Sequence, residues 1–250
     1  MSQSRKIIIG DVHGHYDGLM RLMEAIAPAS NDEVYFLGDL IDRGEKSAQV
    51  LDFIQSSGYI SLLGNHEQML LEAFPNGKVS TQALQTWLYS GGQSTVSSYD
   101  QPEQLLEKLD WIRTFPTHLD LGHIWLVHAG LHPELTLENQ TRHEFCWIRE
   151  PFHSSTKPYF PNKLIVTGHT ITFTLPNVTP GKIARGKGWI GIDTGVYHPK
   201  SGWLTAFDAT NNVVHQVHVF SHVSRTSDLE DVVTDIDPSQ IRSRRQFSLL

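Results

Sequence analysis

Three segments near the N-terminus share one form: IIIGDVHGH (7–15), FLGDLIDRG (36–44) and SLLGNHEQ (61–68). Each passes from a short apolar run through glycine into Asp, Asn, His or Arg. An apolar run closed this way reads as a buried strand ending in a tight turn. Between the first two, Leu19, Leu22, Met23 and Ile26 recur at i, i+3, i+4 and i+7, which predicts an amphipathic helix over residues 17–27, stopped by Pro28. Ser47 can cap a second helix carrying Val50, Leu51 and Ile54, with Gly58 just past its end. The chain therefore begins βαβαβ, a unit whose parallel strands are joined by right-handed crossovers.

Further strands are expected at Ile124–Val127, Leu164–Thr167 and Trp189–Ile192. Helical patterns fill residues 66–115, with Ala83, Leu84, Trp87 and Leu88 on one face and Pro102 opening a helix that carries Leu105, Leu109 and Ile112. Residues 203–219 read as a hairpin turning near Asn211–Asn212. Residues 1–222 form one domain on this reading, and 223–250, polar and weakly periodic, form a loosely held C-terminal tail that contains the most basic segment, IRSRRQ (241–246).

A net charge of −7 without a basic stripe argues against a nucleic-acid partner. No run approaches the roughly 18 apolar residues of a membrane span, and the three isoleucines before Gly10 are too short for a signal-peptide core. The single cysteine, Cys146, suits a reducing compartment. The expectation is a cytoplasmic monomer acting without a membrane.

In open α/β sheets, ligands sit beyond the carboxyl ends of the strands. That places Asp11, His13, Asp39, Asp42, Arg43, Asn65 and His66 on neighbouring loops, and two later strand ends add His128 and His169. A mixed set of carboxylate, imidazole and amide oxygen, without thiolate, suits Mn²⁺, Fe or Zn²⁺ better than Ca²⁺ or Mg²⁺.

GDVHG, GDLIDRG and GNHE, followed in order by HAG and GHT, resemble the signature of the calcineurin-like metallophosphoesterases. With NHEQML (65–70), WLYSGG (87–92), WIRE (147–150) and GIDTG (191–195), the chain is most similar to the phosphoprotein phosphatase branch, in particular its short bacterial and lambda-phage-type members. The resemblance runs from about Ile7 to Trp203 and implies an α/β sandwich of two mixed β-sheets flanked by helices, with a dimetal site at the strand ends. It further implies that Asp11 and His13 hold one divalent ion, Asp39 bridges, and Asn65, His128 and His169 hold the second, with Mn²⁺ the first choice and Fe or Zn²⁺ the others. His66 would be the general acid, with Asp42 on its other ring nitrogen, and Arg43 and Arg149 would grip phosphate. Asp193 is either an orienter of a ligand histidine or a turn former. The remaining histidines match no ligand position; His15 is the nearest to the site in sequence.

The activity this implies is hydrolysis of phosphate monoesters, foremost phosphoserine and phosphothreonine in proteins, by direct attack of hydroxide held between the two metals. Small phosphoesters are the other expected substrates. One position departs from the pattern: protein phosphatases carry arginine before the GNHE glycine, and here it is Leu63. Symmetrical diadenosine tetraphosphatases also tend to be apolar there and share HAG, so dinucleoside polyphosphate hydrolysis is the alternative. A catalytically dead phosphoprotein binder is a third reading, with no residue in its favour.

Overall fold

The structure, a computed structural model, describes residues 4–241. The strands are β1 (Lys6–Ile9), β2 (Glu33–Phe36), β3 (Ile60–Ser61), β4 (His118–Asp120), β5 (Ile124–Val127), β6 (Leu164–Thr167), β7 (Ile183–Gly186), β8 (Trp189–Gly191), β9 (Trp203–Asp208), β10 (Val213–His218), β11 (Ser224–Asp228) and β12 (Val233–Asp235). They form two six-stranded sheets, ordered β11-β10-β9-β1-β2-β3 and β12-β7-β8-β6-β5-β4. Both are mixed: β1 runs parallel to β2 and antiparallel to β9, and β8 runs parallel to β6 and antiparallel to β7.

The period-2 alternation of a strand explains why an unbroken run such as Ile7–Ile9 is needed here. Ile7 and Ile9 pack with Leu19, Leu22 and Ile26 of α1 (Tyr16–Ile26). Ile8 faces the other way, into the layer between the sheets with Tyr35, Leu37, Leu126, Val166, Ile190 and Phe207. Both faces of β1 and β2 are thus buried, as parallel strands covered by helices require. Helix α1 ends where Ala27 turns left-handed before Pro28, and α2 (Ser47–Ser57) ends on left-handed Gly58, as its sequence predicts. Ser47 does not cap α2 with its side chain; its hydroxyl accepts the Asp42 N–H at 3.1 Å instead.

The C-terminal segment differs from the loosely held tail expected from residue 223. β11 extends the first sheet beside β10, β12 joins the second beside β7, and Leu229, Val232 and Ile236 are buried. Most of IRSRRQ lies outside the described residues. Among the described residues, no helix is long and apolar enough to cross a membrane.

Candidate functional site

The loops after β1 and β2 are knit together: the Val12 and His13 N–H groups both donate to Asp39 O, and Gly14 N–H donates to Leu40 O. Glu67, in α3 (Asn65–Ala73), ties in the third loop. Its buried carboxylate accepts the N–H groups of Asp39 (2.9 Å), Leu40 (2.8 Å) and Gly64 (3.1 Å). Close approach also fixes Gly38, whose φ is +99° and whose Cβ position lies 2.5 Å from Gly64 N. His13, Asp39, Asp42, Arg43 and His169 all adopt positive φ, between 46° and 73°. Such conformations cost about 1–3 kcal/mol each outside glycine and persist only where surrounding structure imposes them.

Two groups of potential metal ligands result, His13–Asp39–His66 and Asp39–His128–His169, with Asp39 in both and each group's ligand atoms within 4.8 Å of one another. Asn65 joins the second group, its Oδ1 lying 3.0 Å from His128 Nε2 and 2.8 Å from His169 Nδ1. Asp11 is buried beside them and accepts the His169 N–H at 3.0 Å, so it stands outside the first tight group, where His66 occurs instead.

Backbone carbonyls set the ring orientations. The Nδ1 atoms of His13 and His128 lie 2.9 and 2.8 Å from Ile41 O and Leu37 O, and His169 Nε2 lies 3.2 Å from Trp147 O. With those nitrogens donating, His13 Nε2, His128 Nε2 and His169 Nδ1 present lone pairs inward. Burial lowers the pKa of all three rings, which favours the neutral, ligating form. Three lone pairs from His128, His169 and Asn65 meeting beside the Asp39 carboxylate form a donor set suited to a divalent cation.

His66 is held differently. Its Nδ1 lies 2.6 Å from the buried Asp42 Oδ2, while Nε2 faces Arg43 at 3.0 Å. Burial disfavours its cation, but the Asp39 and Asp42 carboxylates outweigh that and raise its pKa. Asp42 is itself clamped by Thr95 Oγ1 (2.7 Å) and Trp87 Nε1 (3.0 and 3.1 Å). Arg43 lies 4.0 Å over the Tyr197 ring and also reaches His13 Nε2 at 3.0 Å. Arg149 donates to Thr170 Oγ1 at 3.0 Å across the same cleft, which encloses about 630 Å³.

All ten residues singled out in the sequence therefore lie in or against one site. Sequence reasoning gave Glu67 no structural role, passed over Thr95, read Trp87 as core packing, and missed Tyr197. Of these, only Glu67 left a local signal, the capping position three residues after Gly64. Asp193 accepts the Gly195 N–H at 2.9 Å, a turn-forming role. Leu63, where a phosphate-facing arginine is expected in protein phosphatases, is buried in the core at 2% exposure.

Residues 4–222 match the calcineurin-like phosphoesterase family. The chain belongs to that family. Its members are metal-dependent phosphoesterases, and the ligand groups of this family member fit divalent cations. Curated relatives include the symmetrical bis(5'-nucleosyl)-tetraphosphatases of Dechloromonas aromatica, 38% identical over 51% of this chain and 44% of that protein, and of Coxiella burnetii, 35% identical over 54% and 45%. The matched region spans about half the length of these relatives.

Among solved structures, a candidate diadenosine tetraphosphatase superposes with a TM-score of 0.60 at 20% identity, covering 90% of this chain and 93% of that one. A protein serine/threonine phosphatase from Saccharomyces cerevisiae gives 0.57 at 14% identity, covering 90% and 80%. At such identities these likenesses establish the two-sheet fold alone.

The curated relatives overturn the expectation of a phosphoserine and phosphothreonine protein phosphatase. The relatives in question are named for a dinucleoside tetraphosphate, so the family assignment stands while the protein-phosphatase branch does not. NHEQML and WIRE, which suggested that branch, contain residues with structural partners here: Glu67 gathers backbone N–H groups, and Arg149 bonds Thr170.

Proposed function

We propose that this chain hydrolyses symmetrical dinucleoside polyphosphates, with diadenosine tetraphosphate as the reference substrate. The observation that carries this reading is the named activity of curated relatives 31–38% identical over about half of the chain. The buried Leu63 adds support, since it leaves Arg43 and Arg149 as the arginines lining the cleft.

In this proposal Asp11 and His13 would hold one divalent ion, Asn65, His128 and His169 would hold the other, and Asp39 would serve both. Asp39's place in both ligand groups supports the bridging role. The mixed nitrogen and oxygen donors favour Mn²⁺, with Fe or Zn²⁺ as alternatives. When bound, such a pair lowers the pKa of water and neutralises charge on the phosphoryl oxygens.

The chain's own residues do the rest. Arg43, fixed over Tyr197, and Arg149 bind the non-bridging oxygens of the scissile phosphate, where a planar guanidinium can donate twice. His66 donates a proton from Nε2 to the departing phosphate oxygen, and Asp42, 2.6 Å from Nδ1, orients the ring and keeps it charged until then. The burial of His13, Asp39 and His128 limits water at the reacting centre.

Parallel assays with added Mn²⁺ on diadenosine tetraphosphate and on phosphoserine and phosphothreonine peptides test the assignment through kcat/KM. A preference of a hundredfold or more for the dinucleotide is expected, with ADP as the product. A preference for the phosphopeptides would overturn it.

A further inference from the structure

A second cleft, of about 460 Å³, adjoins the catalytic one and shares two of its walls, Arg43 and Tyr197. The stacked Arg43–Tyr197 pair, 4.0 Å from guanidinium carbon to ring centroid, is thus a partition with a pocket on each side. Both volumes fall in the range of small-ligand sites, about 300–1,000 Å³. The hydrolysis of a monoester needs one such pocket, for the leaving group. A molecule with a nucleoside at each end of a polyphosphate needs two, with the phosphate grip between them.

The chemistry of the second cleft matches that need. Phe220 lines it with a 52% exposed ring, large for an apolar side chain on a loop. His15 stands edge-on to that ring at 6.4 Å, and its buried Nε2 has no hydrogen-bond partner. Lys46 and Arg21 line the same cleft as Phe220 and Arg43. Lys46 pairs with Asp17 at 2.7 Å and Arg21 contacts His222, which places both cations in the cleft that Arg43 also lines. Asp17 and Glu45, also in this cleft, are acceptors of the kind that ribose hydroxyls require.

We infer that the cleft of His15, Arg21, Lys46 and Phe220 is the seat of the distal nucleotide, the half of the substrate on the far side of Arg43 from His66. This inference rests on the dinucleoside polyphosphate reading and deepens it. The base lies on the exposed Phe220 face, and the phosphates leading to it pass Lys46 and Arg21. Stacking of a base on an aromatic ring is worth about 1–3 kcal/mol, which corresponds to a factor of about five to a hundred in affinity at 1.4 kcal/mol per tenfold.

The test compares wild type with Phe220→Ala, Phe220→Trp and Lys46→Ala, each assayed with Mn²⁺ on diadenosine tetraphosphate and on p-nitrophenyl phosphate, which is too short to span both clefts. Thermal unfolding of each variant confirms folding. Phe220→Ala is expected to raise KM for the dinucleotide about tenfold with little change in kcat. The ratio of kcat/KM on the dinucleotide to that on p-nitrophenyl phosphate should fall at least fivefold, and Phe220→Trp should restore it. Lys46→Ala should lower the same ratio. If wild type cleaves the dinucleotide and the ratio stays within twofold in Phe220→Ala and Lys46→Ala, the distal seat is elsewhere while the substrate reading survives. If wild type turns over p-nitrophenyl phosphate but not the dinucleotide, the substrate reading itself fails and this inference with it.

Discussion

Asp39 and Asp42 are three residues apart, both at positive φ (49° and 73°), and their carboxylates serve different partners. Asp39 faces His13, His66 and His128 at 3.6, 3.9 and 3.4 Å, whereas Asp42 meets His66 Nδ1 and the Trp87 and Thr95 side chains. Replacing His66 with Asn should therefore lower kcat by about 10²–10⁴-fold, the usual contribution of a general acid, without loss of metal, as metal analysis would show. Metal loss in that variant would make His66 a ligand, which its place in one ligand group makes a real alternative. The pH dependence carries a sign. A general acid works only while protonated, so activity falls as pH rises through the His66 pKa. Burial opposes that proton, but Asp39 and Asp42 raise the pKa above its ordinary value, which moves the alkaline limb upward. Asp42→Asn removes one of the two carboxylates and should move the limb to lower pH; an unmoved limb would assign it to another group. These residues were legible in the sequence because each follows a strand and a glycine. Tyr197 was not, because its ring meets Arg43 from a loop more than 150 positions later, and no local pattern marks such a contact.

At the scale of the element, the segment WLYSGG reads as amphipathic helix, and its helical character is real. The turn is wider than an α-helix over Leu88–Gly92, and Gly91 departs to φ 119°. Widened turns of this kind occur often at functional sites. Here the widening lets Gly91 O accept the Arg43 N–H at 3.2 Å while Trp87 Nε1 reaches Asp42. A tryptophan on an apolar face gives no sign in sequence of which polar group its N–H will find, and here that group lies 45 residues away. Trp87→Phe keeps most of the ring but removes the donor, leaving a fully buried carboxylate one partner short. The expected loss is about 1–3 kcal/mol of stability, read by chemical denaturation, with a drop in kcat as His66 loses its fixed orientation. If the tryptophan acts through Asp42, the loss in Trp87→Phe and Asp42→Asn combined should be smaller than the sum of the two alone. Strict additivity would mean that Trp87 contributes only as core volume.

Across the whole molecule, legibility follows hydrophobic pattern. Among the strands that lead into the site, β5 and β6 were read with their observed bounds because they are continuous apolar runs. β11, of sequence SRTSD, contains no apolar residue; it pairs at the edge of its sheet with alternating exposure, so hydrophobic periodicity has nothing to detect. β12 is three residues long and equally polar at its end. The two sheets nevertheless close through this segment, since β11 pairs with β10, β12 pairs with β7, Leu229 and Val232 pack in the layer between the sheets, and Ile236 joins the other core cluster. A chain ending at residue 222 would lack these side chains and leave the edges of β10 and β7 uncovered. Burying each of the three aliphatic side chains is worth about 1.5–3 kcal/mol, so together they contribute on the order of 5 kcal/mol, comparable to the whole stability of an ordinary domain, about 5–15 kcal/mol. The truncated chain should therefore unfold at markedly lower temperature or denaturant than the full chain. It should also lose activity beyond its unfolded fraction, because Gln240 and Ile241 line the catalytic cleft. An unchanged unfolding midpoint would show that residues 223–241 are an appendage and that 1–222 is the folding unit; a lowered one extends that unit through the second sheet's last strand.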